Sequence, residues 1–89
     1  MISEEDKRII VKFAKKYNVS TIILFGSSLE DYDNANDIDL AVKGISPTLF
    51  FKFYGELLRN LPKPVDLIDL SGKSLFNQII EEKGVKIYG

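Results

Sequence analysis

Residues Leu24–Val42 read LFGSSLEDYDNANDIDLAV, and the interpretation of this stretch decides how the rest of the chain is taken. It opens as the end of an apolar run, Thr21-Ile22-Ile23-Leu24-Phe25, whose β-branched and aromatic side chains suit a buried strand. The run stops at Gly26-Ser27, a polar segment follows, and then comes Asn36-Asp37-Ile38-Asp39-Leu40-Ala41-Val42. Side chains alternate along a strand, so Asp37, Asp39 and Ala41 share one face and Ile38, Leu40 and Val42 the other. The apolar set can bury against helices. The acidic set places two carboxylates about 7 Å apart along the strand, where like charges repel unless a cation lies between them. Such an oxygen pair suits a hard cation such as Mg²⁺, which takes one or two carboxylates together with phosphate oxygens. Gly26 lets the backbone come close to a bulky anion, and amides in the turn after a strand can face phosphate oxygens. Gly-Ser by itself is ordinary punctuation, and Asp-Ile-Asp taken alone can be the start of a strand with its carboxylates in water. The combination points to a nucleoside triphosphate site.

Downstream, Gly44-Ile45-Ser46-Pro47 supplies a turn, a cap and a proline at the first helical position. The helix expected over Pro47–Leu61 carries Leu49, Phe50, Phe53, Tyr54, Leu57, Leu58 and Leu61, with Phe51 beside them. At about 100° per residue these cover an arc of roughly 200°, wider than one buried stripe requires. Phe51 and Leu58 are the excess, either exposed without consequence or part of a partner surface. Pro62-Lys63-Pro64 ends that helix and stiffens the approach to a third strand, Val65-Asp66-Leu67-Ile68-Asp69-Leu70. If Val65 and Leu67 bury, Asp66 points to the same open side as Asp37 and Asp39, and Asp69 to the other, where the turn Ser71-Gly72 can use it. Ser74–Lys83 reads as an amphipathic helix with Leu75, Phe76, Ile79 and Ile80 inward, stopped by Gly84. Val85–Tyr88 reads as a short closing strand.

Upstream, Ser3 is a helix cap with Glu4, Glu5 and Asp6 in the first turn. Ile9, Ile10, Phe13 and Tyr17 recur at helical spacing, Lys7, Arg8, Lys12, Lys15 and Lys16 cover the other side, and Asn18 stops the helix. The lysines form either a solvated face or a grip for phosphate or RNA. The first strand is then expected over Val19–Phe25.

Eighty-nine residues correspond to a single domain spanning 1–89. The net charge of −1 and pI near 5.3 argue against a broad nucleic-acid-binding face. With no cysteine and no histidine, chemistry falls to carboxylates, Lys and Tyr, and disulfides are excluded. No segment approaches a membrane span and the charged N-terminus is no signal peptide, so the expected location is the cytoplasm.

The sequence resembles the nucleotidyltransferases of the DNA polymerase β superfamily, in particular the minimal MNT proteins. Their pattern is an apolar strand ending in Gly-Ser, then Asp-x-Asp, then a third Asp on a later strand; Gly26, Ser27, Asp37, Asp39 and Asp66 stand at those places. The resemblance implies an α+β fold, a two-layer mixed β-sheet with helices on one face, like the polymerase palm. It further implies two-metal chemistry, with Asp37, Asp39 and Asp66 as catalytic and Mg²⁺ ligands and Gly26 and Ser27 at the nucleotide phosphates. The substrate would be ATP or another NTP, and the acceptor a hydroxyl, in the antitoxin-like relatives one on a helical HEPN-domain toxin partner. Two alternatives stand beside it: an antitoxin that acts by binding its partner without useful catalysis, and a transferase acting on a small molecule. A homo-oligomer is also open. In one place the sequence departs from the pattern. Where many relatives carry an arginine and a second glycine opening a short helix, this chain has Ser28-Leu29-Glu30-Asp31 and then Tyr32-Asp33-Asn34-Ala35-Asn36. Acidic residues there do not help hold a triphosphate, and a shortened, flexible loop is expected.

Overall fold

Ser3 begins the first helix, its hydroxyl accepting the Asp6 N–H at 3.1 Å, with three acidic residues set against the positive end of the helix dipole. In the computed structural model, which describes residues 1–89, this helix is α1 (Glu4–Lys16). Asn18 ends it at φ 57°, a left-handed conformation that asparagine tolerates better than most residues. Then follow β1 (Thr21–Leu24), α2 (Gly26–Glu30), β2 (Ile38–Lys43), a 3₁₀ turn (Pro47–Leu49), α3 (Phe50–Asn60), β3 (Val65–Asp69), α4 (Leu75–Lys83) and β4 (Val85–Tyr88).

The strands form one sheet in the order β3-β2-β1-β4. β1 runs antiparallel to β2 and β4, while β2 and β3 are parallel, joined by a crossover through α3. A parallel pair needs such a crossover because a tight turn cannot return the chain to run the same way. Ile22, Leu24, Ile38, Leu40, Val42, Val65 and Leu67 share one face and pack with Ile10 and Phe13 of α1 and Phe53 and Leu57 of α3. On the opposite face Ile23 pairs with Ala41 and Ala41 with Ile68. There a smaller cluster forms with Leu70 and with Ile80 of α4. The architecture is α+β with a mixed sheet. The long helices α1 and α3 lie on one face, and α4 touches the other.

Several local expectations are corrected. The first strand is shorter than Val19–Phe25, because Val19 and Ser20 are still turning away from α1. The third helix opens with a 3₁₀ turn, and the Ser46 hydroxyl bonds Thr48 Oγ1 rather than a backbone amide. In α4 only Ile80 is buried; Leu75, Phe76 and Ile79 are exposed, because α4 meets the sheet along a narrow line beside Ile23 and Ala41. Phe51 and Leu58, by contrast, are exposed as expected, the former at 78%.

The segment expected to be a flexible loop is ordered. Gly26–Glu30 is helical, and Asp31 continues it by donating its N–H to the Ser27 carbonyl at 2.9 Å. Asp31 accepts from the Asn34 side chain at 2.9 Å. Tyr32 is buried, and its hydroxyl donates to Asp6 Oδ2 at 2.6 Å. A buried phenol and a buried carboxylate satisfy each other here, which raises the Tyr32 pKa, first through burial and then through the bond to Asp6.

Candidate active site

β1 delivers the chain to Phe25, and Gly26 then turns it back with φ +67°. Only a residue without Cβ suits this place: an added Cβ would stand 2.6 Å from Asp39 Oδ2. Gly26 is therefore favoured by its backbone conformation, and a side chain there would also displace the Asp39 carboxylate. Ser28, fully buried in the next turn, donates from its hydroxyl to the Phe25 carbonyl at 2.9 Å and accepts the Asp39 N–H at 3.0 Å. One hydroxyl thus ties the β1–α2 turn to β2. Nothing in the spacing singled out Ser28; its only sequence signal was a small polar residue one position after Gly-Ser.

β2 and β3 are in register so that Asp39 lies directly beside Asp66, at a strand spacing of about 4.8 Å. Like charges on neighbouring strands destabilise a sheet, so this pairing costs the fold something. The Asp39 carboxyl is held above the usual carboxylate range, first by burial, next by the negative charge of Asp66, and less by Asp37, with Ser28 pulling the other way. Asp37 is exposed and stands on a bend one residue before β2, whereas the sequence placed it inside the strand. Asp66 is exposed and Asp39 half-buried. Gly26 and Ser27 are both exposed beside them. Asp69 takes the other side, its Oδ1 accepting the Ser71 N–H at 2.8 Å.

None of the three salt bridges involves Asp37, Asp39 or Asp66, so this negative charge has no side-chain ion pair. An all-oxygen donor set with uncompensated charge fits a hard divalent cation. It is not a finished cage, since no three acidic side chains converge closely enough to hold a metal ion by themselves. The remaining ligands would have to come from a substrate, as is usual where Mg²⁺ is shared with phosphates. The largest cleft, about 390 Å³, lies at the far end of the same strands beside Lys43, Lys73, Ser74 and Asn77. None of the three carboxylates lines it, and its polar floor is the turn after β3 rather than the acidic pair.

The sequence model of the family described as Polymerase beta, Nucleotidyltransferase matches residues 7–89. No curated protein matches significantly. Among solved structures, a toxin–antitoxin complex with AMP-PNP contains a chain 27% identical, superposing with a TM-score of 0.77 over 93% of this chain and 73% of that one. A mutant MntA–HpeT toxin–antitoxin contains one 25% identical, with a TM-score of 0.75 over 93% and 72%. A complex of a tri-AMPylated HEPN toxin with its MNT antitoxin from Shewanella oneidensis has a chain 24% identical with a TM-score of 0.75 over 99% and 73%, a likeness of fold.

Proposed function

The chain belongs to the polymerase beta nucleotidyltransferase family, and on that premise we propose that it transfers AMP from ATP to a hydroxyl on a helical HEPN-type partner protein. The observation that carries the reading is the Asp39–Asp66 pair. Two carboxylates are set side by side on adjacent strands without an ion pair, against a glycine turn that leaves no room for a side chain. A fold retains a repulsive pair of this kind where a bound cation relieves it.

Asp37, Asp39 and Asp66 are the residues that would hold Mg²⁺. The metal, when bound, would neutralise charge on the triphosphate and lower the pKa of the attacking hydroxyl. Gly26 and Ser27 bind the β and γ phosphates through the turn after β1. Asp66, exposed where Asp39 is half-buried, takes the hydroxyl proton. The acceptor oxygen forms a bond to the α phosphorus, the bond from that phosphorus to the bridging oxygen breaks in line, and pyrophosphate leaves with the electron pair. The choice of an adenine nucleotide is supported by the AMP-PNP bound in the 27% identical toxin–antitoxin complex, and the choice of partner by the toxin–antitoxin setting of that structure and the MntA–HpeT one.

A second reading, a binding-only antitoxin, draws on the unassembled metal cage and on the exposed Phe51 and Leu58 of α3. The double substitution Asp37→Asn with Asp39→Asn separates the two. In cells carrying the partner toxin, the transfer reading expects an intact complex, no AMP on the toxin and no protection. Full protection by the double variant, with the complex intact, would overturn it in favour of binding alone.

A further inference from the structure

We propose that Lys63 is a positioning residue for the carboxylate site, a clamp that fixes Asp37 relative to Asp39 and Asp66; it rests on the nucleotidyl-transfer reading of that site. Asp39 lies within β2 and Asp66 within β3, whereas Asp37 stands on the bend one residue before β2. The first ladder bond between the two strands is Ile38 N–H to the Pro64 carbonyl, 2.8 Å. Asp37 precedes that bond, so the sheet does not place it. Lys63, one residue before Pro64, reaches back across the gap. Its ammonium donates to the Tyr32 carbonyl and, at 3.3 Å, to the Asp33 carbonyl, and it lies 4.9 Å from the centre of the Tyr32 ring. Two successive carbonyls and one ring face thus converge on a single side chain.

Both ends of this clamp are rigid. Pro62 and Pro64 flank Lys63, and a residue before proline is confined to extended backbone. Tyr32 is 4% exposed and pinned to Asp6 of α1. The clamp therefore connects α1, the α2–β2 connection and the start of β3, and it does so four to five residues before Asp37. It also sets one positive charge into an acidic stretch, where it adds the smallest of the effects that hold the Asp31 carboxyl below its usual range, after the bonds from Asn34 and the charge of the N-terminus.

Position and charge predict opposite signs for metal affinity, which makes the proposal testable. By Coulomb's law alone, removing a cation near a carboxylate site tightens the binding of a second cation. Removing a clamp weakens it, because the ligands must then be ordered by the metal; residues supporting metal ligands are worth about tenfold or more in affinity. Binding of Mn²⁺ together with AMP-PNP to the full chain is measured by electron paramagnetic resonance for the wild type, Asp39→Asn, Lys63→Met, Lys63→Arg and the exposed control Lys52→Met. Amide exchange of residues 34–37 is followed in parallel. The expected result is weaker Mn²⁺ binding and faster exchange in Lys63→Met, most of the affinity kept in Lys63→Arg, which retains charge and donors, and no weakening in Lys52→Met. Should Lys63→Met fail to fold, Lys63→Gln is judged by the same criterion. Unchanged or tighter Mn²⁺ binding in the Lys63 variant overturns the clamp while leaving the transfer reading in place. Equal Mn²⁺ binding by wild type and Asp39→Asn overturns both.

Discussion

The two faces of the sheet are built on opposite terms. On the α1–α3 face, Ile22, Leu24, Ile38, Leu40 and Val42 of the central strands meet fully buried Ile10, Phe53 and Leu57, and all are at most 2% exposed. On the other face the same strands present Ile23, Ala41, Asp39 and, from β3, Asp66 and Ile68, and the only buried residue of α4 there is Ile80. The first face removes apolar surface from water as completely as the chain allows, which is where most of the folding free energy arises. The second leaves carboxylates beside one another and a helix with Leu75, Phe76 and Ile79 in solvent. The stability of the molecule is thus gathered on one face, and the other is free to carry an arrangement that is unfavourable in the absence of a ligand.

The largest effect expected from this contrast is at Phe53, fully buried between α1 and the sheet. Phe53→Ala should cost about 3–5 kcal/mol, read from urea unfolding; a loss below about 1 kcal/mol would show that the face is not the principal core.

A smaller effect of opposite sign is expected at Asp39. Its folded pKa is raised, so the folded state holds its proton more tightly than the unfolded chain does. The contribution of Asp39 to stability therefore falls as pH rises from about 4, the ordinary aspartate value, through the raised one, and is level above it. Asp39→Asn removes that dependence. At neutral pH it should gain on the order of 1 kcal/mol, a few degrees in Tm, while the proposed nucleotide transfer is lost. Thermal melts of both proteins across pH 3–8 check the sign; a variant less stable than wild type at pH 7 would mean that Asp39 is stabilising as an anion.

The smallest effect is at Phe76, which packs edge-on against Phe25 with ring centroids 6.3 Å apart but is 53% exposed. Phe76→Ala should cost under about 1 kcal/mol in the same urea titration. A loss comparable to that of Phe53→Ala would erase the distinction between the faces.

Much of this contrast can be read along the chain. Alternation within Val65–Asp69 separates Asp66 from Asp69, and the structure keeps them apart, one beside Asp39 and the other in the turn with Ser71. The helical spacing of α1 and α3 identifies Ile10, Phe13, Phe53 and Leu57 as the inward residues. Alternation misplaces Asp37, because a period of two says which side a residue faces and not where the strand begins. Spacing also misplaces Leu75, Phe76 and Ile79, since an apolar stripe does not report how much partner surface is available to cover it.

What the sequence determined by itself is local: which segments, α2 excepted, are strands or helices, where Ser3 caps and Asn18 turns, and which side chains share a face. These follow from steric limits on each residue and from two short periods, neither of which requires a distant partner. Only the tertiary structure decided which distant residues became neighbours. The pairing of Asp39 with Asp66, the tie from Ser28 to β2, the burial of Tyr32 on Asp6 and the reach of Lys63 all join segments eleven to thirty-one positions apart. Register between parallel strands joined through a helix depends on how that helix seats in the core. That is a property of the packed whole, and no local pattern encodes it.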